Sequence, residues 1–250
     1  MSFLEKVINT ICRKWQAKKL GINYTRASQW KLPTQILLCK KYIDIQGPND
    51  IGTKIAFLDI FLDDCYGLRK LTKRKVKTIL DIGGHVGFFS LYARSLFPEA
   101  KIHCYEPNPE LKDFLNHQSS VGDFSLFMEA VGLKSGTINL KVLEDSVQTV
   151  TVESKRGEIS MTSFKNCVDR LENSIDILKL DCEGAEWQIL KESPILWRRI
   201  KYICMEYHLT DNHSREEIVT ILTKLGYGIV RHEKTSSFFG IIHANRNEIG

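Results

Sequence analysis

From position 76 onward, short apolar runs alternate with longer segments of helical periodicity, the pattern of a parallel sheet covered by helices on both faces. Val76 to Ile82 predicts a buried strand, Val86 to Phe97 a helix, Lys101 to Tyr105 a second strand, Pro109 to His117 a second helix and Phe124 to Val131 a third strand. Thr137 to Leu143 and Val147 to Glu153 alternate apolar and polar positions and predict an inserted hairpin. Ile175 to Leu180 then predicts a fourth principal strand, Ala185 to Glu192 a helix stopped near Pro194, and Tyr202 to Tyr207 another strand. Ser214, with Glu217 three residues on, opens a helix that Gly226 closes. Tyr227 to Arg231 and Phe238 to His243 finish as an antiparallel hairpin. The expected fold is Rossmann-like α/β, with a mostly parallel seven-stranded sheet.

Ahead of this unit, Phe3, Leu4, Val7, Ile8, Ile11, Cys12 and Trp15 recur at helical spacing with basic residues between them, which predicts an amphipathic helix over 3–20. Two readings stay open for it: a helix docked on the domain, or one lying on a membrane surface. The apolar runs Tyr42 to Ile45 and Ile55 to Leu62, set around Gly47, Pro48, Asn49 and Gly52, predict a few accessory strands. We therefore divide the chain into an N-terminal helix with accessory strands, 1–70, and a ligand-binding domain, 71–250.

With 43% hydrophobic and 26% charged residues over 250 positions, the chain has enough apolar content for one sizeable core, which excludes disordered and fibrous classes. No apolar run reaches the roughly 18 residues of a membrane span, and the opening MSFLEKVINTICRKW lacks a secretory pattern. A cytoplasmic protein is expected, with the basic helix offering a peripheral contact to the inner membrane face. Seven cysteines without a C-x-x-C pair read as reduced thiols rather than a zinc or disulfide framework. A net charge of +5 is too small to imply a nucleic-acid partner, and aromatic residues scarcely interleave with the basic ones.

The chemistry concentrates where strands end. In Ile79-Leu80-Asp81-Ile82-Gly83-Gly84-His85-Val86-Gly87, a buried strand closes on an acid, passes a glycine turn and opens a helix, as at a nucleotide site. The next strand ends Tyr105-Glu106-Pro107-Asn108, with Glu106 23 residues beyond Gly83, the spacing that brings a carboxylate to ribose hydroxyls. A dinucleotide fingerprint ending at Gly87 would need glycine at 82, where the chain has Ile, and no G-K-[ST] follows the turn. Asp81 would oppose a phosphate but attract an ammonium and a sulfonium; acids after both strands suit S-adenosylmethionine. Glu129 and Ala130, on the third strand, stand where an adenine would lie. A second cluster, Lys179, Asp181, Glu183 and Glu186, closes the fourth strand, and Glu206 and His208 close the next.

The series LDIGGHVGFFSL, YEPNP, EAVGLKSG, DILKLDCEGAE and MEYH resembles the FkbM-type family of S-adenosylmethionine-dependent methyltransferases over roughly residues 55–243. The resemblance implies a class I methyltransferase fold and O-methylation of a small-molecule or carbohydrate acceptor, a sugar, glycan or natural product. Asp81, Gly83, Gly84, His85 and Gly87 then match the methionine-side turn, Glu106 the ribose ligand, and Glu129 with Ala130 the adenine contact. His85 stands where the family often has asparagine. Catalytic candidates at the acceptor edge are Asp181, Glu206, His208, Lys179 and Glu183, with His208 favoured as base by its ordinary pKa. Asp181 and Glu183 are alternatively a pair for Mg²⁺, although no residue is assigned to a metal. A nicotinamide dehydrogenase and a non-catalytic binding module on the same fold remain the other classes.

Overall fold

The computed structural model describes residues 3–25, 29–142, 149–153, 158–171, 174–210 and 213–247. Its central sheet has seven strands, in the order β5 (Ser125–Phe127), β4 (Lys101–Tyr105), β3 (Thr78–Ile82), β10 (Ile175–Leu180), β11 (Ile200–His208), β13 (Phe239–Arg246) and β12 (Tyr227–Lys234). Strands β5 to β11 pair in parallel, while β13 runs antiparallel to both of its neighbours. Every residue of β3 and β10 is buried, as continuous apolar runs between two helical layers require. The strand order reverses between β3 and β10, which makes their ends the switch point of an open α/β sheet. Register aligns those ends: Ile82 lies opposite both Leu180 and Tyr105, and Leu180 opposite Met205.

The predicted third strand, Phe124 to Val131, divides. β5 stops at Phe127, and Ala130–Gly132 forms β6 in a separate four-stranded sheet, ordered β6, β9 (Ile159–Ser163), β7 (Gly136–Val142) and β8 (Thr149–Glu153). An apolar run has the same periodicity whether it stays in one sheet or crosses to another, so the break is not visible in the pattern. β7 and β8 are the predicted inserted hairpin and pair antiparallel; positions 143, 147 and 148 of that prediction lie outside the described residues. Pro194, expected as a stop, instead opens the short helix α7 (Pro194–Trp197), consistent with the preset backbone of proline in a first turn. The helix α8 (Arg215–Lys224) has the predicted cap, Ser214 Oγ accepting from the Glu217 N–H at 3.2 Å.

In the N-terminal segment, α1 (Phe3–Lys19) matches its prediction, and β1 (Gln35–Leu38) pairs antiparallel with β2 (Lys41–Asp44). The predicted strand Ile55 to Leu62 is helical: α2 (Ile51–Phe57) runs on into a π-helical turn, Leu58–Leu62. Asp50 caps α2 by accepting from the Thr53 N–H at 2.6 Å. Its buried Phe57, Leu58, Phe61 and Leu62 recur at one- and three-residue intervals, a helical stripe. Phe57 and Phe61 meet Phe88 of α3 (Phe88–Leu96) edge-on, so this segment shares a core with the principal sheet. Arg13 of α1 fastens the helix, its Nε donating to Oδ1 of Asp63 at 2.8 Å.

Candidate active site

The turn after β3 is built for close approach. Gly83 has φ +82°, and a Cβ there would stand 1.6 Å from the Asp181 carbonyl oxygen, so no larger residue fits. Its N–H and that of Gly84 both donate to the Tyr105 carbonyl at 3.0 Å, joining the turn to the end of β4. His85 also occupies the left-handed region, φ +49°, and its backbone N–H donates to Glu106 Oε2 at 2.8 Å. The Asn108 N–H donates to Glu106 Oε1 at 2.9 Å. Glu106 is thus held at the turn although only 8% exposed. Burial pushes its carboxyl up to about 7, against the pull of those two N–H groups.

Beneath the turn lies an ionic core. Asp81 is fully buried and accepts from Ser90 Oγ at 2.7 Å, while its Oδ1 has no hydrogen bond among the described residues and faces the Lys179 ammonium at 3.4 Å. Lys179, itself buried, donates to the Gly83 carbonyl and lies 3.5 Å from Asp181 Oδ2. Burial alone would lower the lysine, but the charges of Asp81 and Asp181 outweigh it and hold the ammonium well above its ordinary range. Asp181 is drawn below the usual carboxylate range in spite of its burial, by Lys179, His208 and the Tyr66 hydroxyl, which donates to Oδ2 at 2.8 Å.

Beside it stands a mixed cluster. His208 Nε2 lies 3.4 Å from Glu183 Oε2 and 3.6 Å from Glu206 Oε1, and Nδ1 lies 3.4 Å from Glu186 Oε1. Burial would favour the neutral ring, yet Glu186 and Glu206 overcome it and push His208 up to about 11. Burial in turn pushes Glu183 up to about 8, and burial with the Asp181 charge raises Glu206 against the opposing pull of His208. Glu186 is fully buried and accepts from the Cys182 and Gly184 N–H groups at 2.7 and 2.8 Å, which shapes the loop that carries Glu183. Asp181, Glu206 and His208 also offer one ligand atom each, all within 4.8 Å of one another, a spacing that a divalent cation can bridge. The Asp181–Glu183 pair expected for Mg²⁺ is not that grouping.

The structure therefore brings Asp81, Gly83, Gly84, His85, Gly87 and Glu106 together on one side of the switch point and Asp181, Glu183, Glu206 and His208 on the other. Three expected roles change. Lys179 points under the turn, where it is a positioning residue. His208 keeps its proton at neutral pH, so its ordinary pKa does not describe it. Glu129 is engaged by Arg170, whose NH1 donates to Oε2 at 2.6 Å, while Ala130 is buried at the start of β6. Tyr66 and Arg170, which also join the site, carry no sequence signal: Tyr66 follows an apolar run that fits a strand period but is helical, and Arg170 lies in no motif.

A sheet that reverses at a glycine turn, with an acid on the neighbouring strand and one antiparallel strand next to its far edge, defines the class I methyltransferase fold. The crystal structure of magnesium protoporphyrin IX methyltransferase from Synechocystis PCC 6803 with bound S-adenosylhomocysteine has that fold. It aligns at TM-score 0.50 and 11% identity, covering 81% of this chain and 90% of that one. The methyltransferase FkbM domain model matches residues 81–229, and the chain belongs to this family. Similar proteins include methyltransferase sdnD of Sordaria araneosa, 27% identical over 80% of this chain and 92% of that protein. Another is the 31-O-demethyl-FK506 methyltransferase FkbM of Streptomyces tacrolimicus, 24% identical over 72% and 84%. S-adenosylmethionine is the methyl donor that membership of this methyltransferase family carries, and the same membership removes the dehydrogenase alternative.

The residues fit that donor: Gly83 leaves no room for a side chain at the turn, and Glu106 is anchored by backbone N–H groups beside it. A neutral Glu106 would give up an acceptor for ribose hydroxyls. The calorimetric Kd of S-adenosylhomocysteine is thus expected to rise about tenfold per pH unit below pH 7. His85, pushed down to about 4 by burial, stays neutral over most of that range. Affinity that stays level from about pH 8 to pH 5.5 would remove Glu106 from the ribose contact.

Proposed function

We propose that the chain methylates a hydroxyl oxygen on a sugar, glycan or natural-product acceptor. The observation that carries this reading is the cluster opposite the glycine turn, where two carboxyls with raised proton affinity, Glu183 and Glu206, flank a protonated His208. An alcohol must shed its proton as the new bond forms, and a carboxylate titrating near the working pH suits that task. The name of the Streptomyces relative, a 31-O-demethyl-FK506 methyltransferase, specifies an oxygen position and supports the same direction.

When bound, S-adenosylmethionine supplies a methyl group on a sulfonium, ready for in-line displacement. The backbone of Gly83, Gly84, His85 and Gly87 would cradle its methionine portion, and Glu106 would accept from the ribose hydroxyls. Asp81, neutralised by Lys179 and bonded to Ser90, would hold the turn in place from beneath, with Ala130 and the Glu129–Arg170 pair bordering the adenine. On the acceptor side, Glu206 or Glu183 would take the hydroxyl proton while the His208 imidazolium orients their carboxylates by donation. The carboxylate that accepts the hydroxyl proton would then pass it to solvent.

Incubation of the full chain with S-adenosylmethionine and a panel of hydroxylated sugars and polyketide-type alcohols, read by S-adenosylhomocysteine release, tests this. Glu206→Gln is expected to lower kcat by on the order of 10²- to 10⁴-fold while S-adenosylhomocysteine affinity is kept. In the unmodified protein, kcat/KM should climb with pH toward a limb near 8 where Glu183 is the base, since its carboxyl must first lose its proton. Methylation of amines or thiols but no alcohol would overturn the oxygen assignment. Turnover abolished by EDTA and restored by Mg²⁺ would assign Asp181, Glu206 and His208 to a metal instead.

A further inference from the structure

We propose that α1, together with the β1–β2 hairpin, docks the protein on an anionic lipid surface. Among its described side chains, helix α1 is anchored to the domain by the face that carries Arg13 and Ala17: Ala17 and the following Leu20 are buried, and Arg13 is pinned to Asp63. The opposite arc exposes Val7, Ile8, Ile11 and Trp15, the last two 62% and 57% exposed. At about 100° per residue, these four form one stripe, bordered by exposed Lys14 on one side and exposed Lys19 on the other, with exposed Lys18 within the arc at its C-terminal end. No acidic residue interrupts the exposed arc from Val7 to Lys19.

A stripe of aliphatic and indole side chains bordered by lysines is the arrangement that sinks into a headgroup region while its charges meet lipid phosphates. A protein partner would be expected to meet the stripe with its own apolar face, but it would leave the flanking ammonium groups without counter-charge. The charges therefore select the lipid. The Lys19 ammonium already lies 3.4 Å from the centre of the Trp15 ring, presenting cation and indole together at one level.

A second element extends the surface. The end of α1 joins the hairpin through the Leu37 N–H, which donates to the Leu20 carbonyl at 2.8 Å. There Tyr42, 61% exposed, lies so close to Gly21 that a Cβ on that glycine would stand 2.7 Å from its hydroxyl. Lys40 and Lys41 precede it, both exposed. Aromatic and basic groups thus continue from the helix onto the hairpin. Among the described residues, no helix is long and apolar enough to cross a membrane, so the contact is one of surface association.

Sedimentation of the full chain with vesicles tests the proposal, comparing phosphatidylcholine alone with phosphatidylcholine plus phosphatidylglycerol. The chain is expected to pellet with the anionic vesicles at low salt and to be released as salt rises. Each of Lys14→Gln, Lys18→Gln and Lys19→Gln should weaken binding roughly fivefold. Ile11→Ser with Trp15→Ser should abolish binding, whereas S-adenosylhomocysteine affinity stays unchanged in every variant and reports an intact domain. No association of the unmodified chain with anionic vesicles at low salt overturns the proposal. Equal binding to both vesicle types, or self-association lost in the Ile11→Ser, Trp15→Ser variant, overturns it in favour of another occupant.

Discussion

Lys179→Met is expected to cost about 3–5 kcal/mol of unfolding free energy, a large share of the stability of a domain this size, and to abolish S-adenosylhomocysteine binding. The cause is what the ammonium leaves behind. Asp81 is fully buried with one oxygen satisfied by Ser90 and the other, among the described residues, facing the Lys179 ammonium without a hydrogen bond. Removing the lysine leaves an uncompensated buried carboxylate beneath the cofactor turn. The same loss releases the Gly83 carbonyl and takes a counter-charge from Asp181. Urea unfolding of the single variant and of the Asp81→Asn, Lys179→Met double variant separates the contributions. The double variant should recover part of the stability, because the orphaned charge has gone. A single variant as stable as the parent would mean that water or another cation reaches Asp81 and that the ion pair does not hold the turn together.

That ion pair also shows what was legible in the sequence. Asp81 and Lys179 stood out in the text as chemistry-bearing residues, but nothing in their spacing says that they face each other, because adjacency of β3 and β10 arises from strand order and register. The principal strands, α8 with its cap and the terminal hairpin were readable because each depends on local periodicity or capping. Helix α2 was not: its apolar run is short enough to fit either period, and the decision rested on Asp50 as a cap. The same limit applies to His208. Its residue type suggests a neutral base, whereas its proton affinity is raised by Glu186, Glu206 and Asp181, which the fold gathers at the β10 and β11 ends. Motifs thus identified the groups, and only three-dimensional proximity assigned their charge states.

Gly83→Ala is expected to be the most damaging single methyl addition in the cofactor site, lowering S-adenosylhomocysteine affinity by at least about 100-fold and stability by more than about 4 kcal/mol. Two costs combine. The residue has φ +82°, which an L side chain resists, and its new carbon would sit 1.6 Å from the Asp181 carbonyl oxygen and 2.7 Å from the carbonyl carbon. These are backbone atoms at the end of a central strand and cannot rotate aside, so the turn or the β10 terminus must move. Either movement shifts both halves of the site, since Glu106 is held by the N–H two residues beyond Gly83 and Asp181 carries the acceptor side. Gly184→Ala provides the control. That glycine has φ +100°, but a Cβ there meets nothing within 4 Å, so only backbone strain of about 1 kcal/mol is expected, with cofactor affinity intact. If the two variants bind S-adenosylhomocysteine equally well, the cofactor does not depend on the close approach of β3 and β10 at this turn. A large loss confined to Gly83→Ala would instead locate that dependence at the point where the two strands diverge.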